Sequence, residues 1–138
     1  MDLKKYKILI VDDEESILGL ISDFLKQEGY DVETTSDPLK ALKIIEEGEI
    51  KIALTDIKMP VMDGVELLEN IKRINGLVQV IIMTGYGSLE NTVKCLEKGA
   101  NDYLLKPFEN MNEVKTIIDM TIEKLIRWEN VITDIYSK

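Results

Sequence analysis

Five short runs rich in Ile, Val, Leu and Tyr, separated by stretches of helical periodicity, constrain this chain more than any other feature. Strands that alternate with helices are joined in parallel, and a parallel sheet needs helices on both of its faces. The runs predict strands at 7–11, 32–35, 52–55, 80–83 and 102–105, with helices at 16–28, 38–47, 65–74 and 88–98. Gly29, Gly48, Gly76 and Gly99 each stand where a helix would end in a left-handed cap. Asp37 before Pro38 reads as an N-cap followed by proline at the first helical position. At 138 residues, without repeats or linkers, the chain suits one doubly wound α/β domain.

Charge and missing residue types remove several classes of function. Seventeen basic against 26 acidic residues leave a net charge of -9, which repels a phosphate backbone and argues against direct nucleic-acid binding. Because there is no His, mechanisms that need an imidazole base, carrier or zinc ligand are excluded. The lone Cys95 cannot form an internal disulfide, and within NTVKCLEKG it reads as a small buried apolar residue rather than a reactive thiol. No apolar run approaches the roughly 20 residues that span a bilayer, and the N-terminus turns acidic too early for a signal peptide. A cytoplasmic location is therefore expected, with no membrane partner.

The stretch from about 111 to 136 is longer than one crossover helix requires. Val114, Ile118, Thr121, Leu125, Trp128, Ile132 and Ile135 follow the alternating four-three spacing of a coiled-coil seam with one polar interruption. The first half must cover the sheet. The second half either dimerises or leads into a partner, or it folds back onto its own domain.

In an open parallel sheet the functional crevice lies beyond the carboxyl ends of the strands. There stand Asp12, Asp13 and Glu14 after the first strand, Asp56 after the third, Thr84 after the fourth, and Lys106-Pro107 after the fifth. Carboxylates crowded into one crevice repel each other unless protonated or bridged by a cation, and hard oxygen ligands suit hydrated magnesium. Since magnesium commonly completes its shell with phosphate oxygens, the crevice fits a phosphoryl group, with Lys106 and Thr84 in reach and Asp56 as the natural nucleophile. Taken singly, each feature has a plainer reading: Asp12 and Asp13 as helix-start charge, Lys106-Pro107 as a loop, Thr84 as a turn hydroxyl. It is their coincidence at successive strand ends that points to chemistry.

These residues resemble the receiver domain of two-component response regulators. The likeness runs from Lys7 to about Ile126 and rests on ILIVDDE, LTDIKMPVMDG, IIMTGYG and GANDYLLKPF. It looks most like receivers attached to AAA+ transcription activators or to histidine kinase and phosphodiesterase outputs. The resemblance implies a five-stranded, flavodoxin-like receiver fold over 1–126, followed by a helical extension over 127–138. It implies that Asp56 accepts a phosphoryl group from a phosphohistidine on a sensor histidine kinase. Asp13, Asp56 and the carbonyl of Lys58 would bind Mg2+, with Asp12 acting through water. Lys106 would pair with the phosphoryl group, Thr84 would hydrogen-bond to it, and Tyr103 would act as the switch aromatic, its plainer reading being a half-buried strand tyrosine. Pro107 would follow a cis peptide. Met59-Pro60 and Asp63-Gly64 would shape the loop after the acceptor, Gly64 by adopting a backbone angle other residues resist. Lys58 and Tyr86 would flank the path of water to the acyl phosphate, although Tyr86 equally reads as a simple surface aromatic. Output would be carried to an unnamed domain or partner by shape, so that the domain is no enzyme beyond its own phosphorylation and dephosphorylation.

Two other readings compete. A magnesium-dependent phosphatase or phosphotransferase of the haloacid dehalogenase type also forms an aspartyl phosphate, but wants a second Asp where Lys58 stands. A flavodoxin-like electron carrier would want a glycine- or hydroxyl-rich first turn, and here that turn is VDDEES.

Overall fold

The computed structural model describes residues 2–85, 88–108 and 110–137. After a short 3-10 turn at Leu3–Lys5, five strands alternate with five helices: β1 Lys7–Val11, α1 Glu15–Gln27, β2 Val32–Thr35, α2 Pro38–Glu46, β3 Ile50–Thr55, α3 Gly64–Ile74, β4 Gln79–Thr84, α4 Leu89–Glu97, β5 Asp102–Leu105 and α5 Asn112–Tyr136. All strand pairs are parallel, in the order β2-β1-β3-β4-β5. This is the five-stranded doubly wound sheet expected from the alternation. β3 begins two residues before its expected start and β4 extends by one residue at each end, because Lys7 pairs with Ile50, Ile52 with Gln79 and Thr84 with Leu105.

Alternate side chains of each strand enter opposite layers. Leu9 and Val11 of β1 join Ala53, Val80 and Ile82 under α2, α3 and α4, in a cluster that also holds Leu67, Leu68, Ile71 and Cys95. Ile8 and Ile10 join Ile52, Leu54, Ile81 and Met83 under Leu18, Ile21 and Leu25 of α1 and Val114, Ile118 and Ile122 of α5. Burial of that kind, worth about 1.5–3 kcal/mol per large aliphatic side chain, is what holds both layers to the sheet. Cys95 is buried, and burial pushes its thiol pKa up.

Local chemistry sets the helix ends. Asp37 Oδ1 accepts the Leu39 N–H at 2.9 Å with Pro38 at the first helical position, as expected. Gly29, Gly48 and Gly99 have φ of 96°, 89° and 96°, the left-handed caps read from the sequence. Gly76 departs from that reading. Asn75 leaves α3 in extended conformation, with φ -153°, and its Oδ1 accepts the Leu77 N–H at 3.0 Å, so an asparagine turn ends the helix and no left-handed glycine is needed.

α5 is unbroken through Tyr136. Val114, Ile118, Thr121 and Ile122 are buried, and the polar interruption is satisfied within the helix, Thr121 Oγ1 donating to Ile117 O at 2.8 Å. Beyond that point the stripe is not covered by its own domain: Trp128, Ile132 and Ile135 are 60%, 47% and 66% exposed. Among the described residues no helix is long and apolar enough to cross a membrane.

Candidate functional site

The carboxyl ends of β1, β3, β4 and β5 carry the acidic and basic groups singled out by the sequence. Asp12 lies directly after β1 with no exposed surface, and Asp56 directly after β3 at 5% exposure. Asp13 is exposed. One carboxylate oxygen from each of Asp12, Asp13 and Asp56 can be chosen so that all lie within 4.8 Å of one another. Lys106, directly after β5, reaches across the sheet end: its Nζ donates to Asp12 Oδ2 at 2.6 Å and to Asp56 Oδ2 at 3.1 Å.

The backbone fixes these carboxylates. Asp12 Oδ1 accepts the Glu14 N–H at 2.9 Å, and Asp56 Oδ1 accepts the Ile57 N–H at 2.7 Å. Burial pushes the Asp12 pKa up, against the lowering by Lys106 and the Glu14 amide. Burial also draws Lys106 down, but Asp12 and Asp56 together carry its pKa above the ordinary value. Both shifts are upward, and the one at Asp12 runs against the fall that a neighbouring cation alone would cause. The reason is that Asp12 is fully enclosed and shares one ammonium with Asp56, so a single lysine does not offset the desolvation. A hard divalent cation suits a donor set of three carboxylates with that residual cost.

Thr84 ends β4, fully buried, and its carbonyl accepts the Lys106 N–H at 2.9 Å. The Lys106–Pro107 peptide is cis. Lys58 sits two residues past Asp56 with an exposed side chain. Tyr103 stands beside Ile82 in register, half-buried against the cluster that contains Cys95, and its hydroxyl is buried with no hydrogen-bond partner among the described residues. Tyr86 lies outside the described residues.

The role of Gly64 differs from the one read in the sequence. Its backbone is not left-handed. Instead, a Cβ there would meet Asp56 O at 2.1 Å and Ile57 Cα at 2.8 Å. The Gly64 N–H donates to Ile57 O at 2.7 Å, so the start of α3 is pressed against the backbone that follows β3 and only a glycine fits. The left-handed residue of that loop is Val61, with φ 72°, a conformation that costs a β-branched residue about 1–3 kcal/mol.

Beside the acidic cluster lies a cleft of about 670 Å³, walled by Ile17, Leu20, Pro107, Phe108 and Met111 as well as Lys106. The sequence reading missed its apolar wall. The signal was present in α1, where Leu18, Ile21 and Leu25 form the buried stripe and Leu20 lies outside it.

Comparison with known proteins agrees with this geometry. Residues 8–119 match the family model described as the response regulator receiver domain. An NtrX-like response regulator of Rickettsia felis is 40% identical over 110 residues, 78% of this chain and 23% of that protein. Sporulation initiation phosphotransferase F of Bacillus subtilis is 38% identical over 112 residues, 81% of this chain and 90% of that protein. The solution structure of the beryllofluoride-activated NtrC4 receiver domain dimer superposes with a TM-score of 0.80 at 36% identity, covering 86% of this chain and 97% of that one. The chain thus spans about a quarter of its NtrX-like relative and nearly the whole of the Bacillus protein. These likenesses favour the receiver reading over an enzyme of the haloacid dehalogenase type, and they bear out the kinship with receivers of AAA+ activators. With its sheet order and the match over most of its length, this chain belongs to the response regulator receiver domain family, whose members are phosphoacceptor signalling modules.

Proposed function

We propose that Asp56 is the phosphoacceptor and that the donor is a phosphohistidine on a sensor histidine kinase. The observation that carries this is the position of Asp56 on the central strand β3, with the Lys106 ammonium at 3.1 Å and two further carboxylates close enough to share a cation. An Asp56 carboxylate oxygen attacks phosphorus as the P–N bond breaks and its electron pair returns to the imidazole. The carboxylate form of Asp56 is the nucleophile in this step. Lys106 offsets charge on the phosphoryl oxygens, and the Thr84 hydroxyl donates to one of them.

Asp13, Asp56 and the carbonyl of Lys58, with Asp12 through water, would hold Mg2+. Bound there, it offsets the charge of the acids and of the arriving phosphoryl group. Lys58 flanks the approach of water to the acyl phosphate. The buried hydroxyl of Tyr103, without a hydrogen-bond partner among the described residues, makes its present ring position expensive, by about 1–3 kcal/mol, so a modest pull on Thr84 can shift the ring and the surface around it. The signal then passes as shape to an output domain or partner protein.

Residues 1–126 form the receiver and 127–138 a helical extension that packs on a second copy of the chain. The uncovered part of the seam, Trp128, Ile132 and Ile135, supports this pairing.

The acceptor is tested by intact mass after incubation with acetyl phosphate and magnesium. The wild type gains one phosphoryl group and Asp56→Asn gains none; equal labelling in both refutes the assignment.

A further inference from the structure

At the opposite end of the sheet from the acidic cluster, α5 is held by a repeated arrangement of side chains. Tyr30, which follows the C-terminus of α1, and Tyr6, which precedes β1, are both buried in the cluster that contains Val114, Ile118 and Ile122. Each turns its hydroxyl toward a carboxylate on α5. Tyr30 donates to Asp119, and Lys115 Nζ completes that group by donating to Asp119 Oδ2 at 2.7 Å. Tyr6 donates to Glu129 Oε2 at 3.1 Å, and Lys5 Nζ reaches the same oxygen at 3.2 Å. Burial and the facing Asp119 push the Tyr30 pKa up to about 12, and burial with Glu129 raises that of Tyr6, so both hydroxyls remain donors across the physiological range.

The two groups differ in position along the helix. Asp119 lies where α5 already covers the sheet. Glu129 lies seven residues past Ile122, the last buried residue of α5, and among the described residues it is the last to be hydrogen-bonded from the body of the domain. Beyond it, seven helical residues run to Tyr136, an end that frays in water unless the turn before it is held. The segment that supplies the contact is itself ordered. Asp2 Oδ1 accepts the Lys4 N–H at 3.2 Å, the Tyr6 N–H donates to Leu3 O at 3.2 Å, and Leu3 packs against the Tyr6 cluster.

We propose that the N-terminal turn Leu3–Tyr6 is a brace that carries helical order in α5 past the domain, to the stripe formed by Trp128, Ile132 and Ile135. The Tyr6–Glu129 contact fixes the direction in which that stripe leaves the domain and prevents it from folding back. The brace operates in the single chain and does not depend on dimerisation or on phosphorylation.

Hydrogen exchange on the full chain tests it, with Tyr6→Phe, Glu129→Ala and the double variant. Alanine is at least as good a helix former as glutamate, so fraying in Glu129→Ala cannot come from propensity. In both single variants the amides of residues 130–136 should lose protection by about fivefold, while those of 118–126 and acetyl-phosphate labelling of Asp56 stay unchanged. The double variant should lose no more than either single one, since both remove the same contact. Unchanged protection at 130–136, loss spread evenly into 118–126, or additive loss in the double variant would each overturn the brace.

Discussion

The two ends of the sheet each set a lysine against a carboxylate, with opposite consequences. At the carboxyl end, Lys106 and Asp12 meet at 2.6 Å with side-chain exposures of 12% and 0%. At the amino end, Lys5 and Glu129 meet at 3.2 Å, both well exposed. An exposed pair is screened by water and salt, and there the tyrosine hydroxyl does the positioning. In the buried crevice the charges are neither screened nor balanced, so the site stores an unfavourable acid-on-acid arrangement that a cation or an arriving phosphoryl group alters. Similar residue types thus make a solvent-screened contact at one end of the molecule and a buried, unbalanced charge cluster at the other.

The sharpest way to break this contrast is to remove the lysine from each end. Lys106→Met should lower the rate of phosphorylation of Asp56 by acetyl phosphate by about 100-fold, the scale on which loss of one preorganised donor acts. Lys5→Met should leave that rate and the thermal midpoint unchanged. Comparable losses in the two variants would dissolve the distinction.

A second, smaller effect follows from Asp12. Its pKa is raised in the fold by burial, so between the ordinary carboxylate value and the raised one the native state binds more protons than the unfolded chain. Stability from this group is therefore gained as pH falls through the folded value and lost above it. Asp12→Asn should raise stability at pH 8, without divalent ions, by about 1 kcal/mol, or some 4 °C in thermal midpoint. That gain should be smaller at pH 5, since lower pH favours the protonated form of wild-type Asp12. Adding magnesium should stabilise the wild type more than the variant. Thermal melts at both pH values check each point, and a variant less stable than wild type at pH 8 would show that Lys106 outweighs the burial of Asp12.

The layout was legible in the sequence because it depends on patterns that are local along the chain. Alternating apolar runs gave β1, β2 and β5 their bounds, and Asp37-Pro38 gave α2 its start. Position at strand ends was enough to gather Asp12, Asp13, Asp56, Thr84 and Lys106. What escaped depends on contacts between distant segments. Nothing near Gly64 in sequence tells that Asp56 O would lie 2.1 Å from a Cβ there. Nothing near Gly76 tells that Asn75 would end α3 first. Val61 bears the left-handed strain in a loop where a glycine three residues later seemed the candidate. The outer half of α5 was legible as a stripe, but whether its own domain covers it depends on where the sheet stops.

The smallest effect on the domain itself should come from deleting the residues after Arg127. The deleted segment holds Trp128, Ile132 and Ile135, all substantially exposed, so little buried apolar surface is lost within one chain. The acidic crevice lies at the far end of the sheet, so labelling of Asp56 should be unchanged. The change should instead appear in assembly. An uncovered seam running on from Leu125 is costly to leave in water, and a second copy offers the same stripe in the same register. Full-length protein should sediment as a dimer at high concentration and the truncated form as a monomer. Phosphorylation or a phosphoryl mimic should tighten the full-length dimer if the surface around Tyr103 contributes to it, and leave its affinity unchanged if the helices act alone. A full-length monomer in both states would leave the extension without a second copy and make it a lead into some other partner.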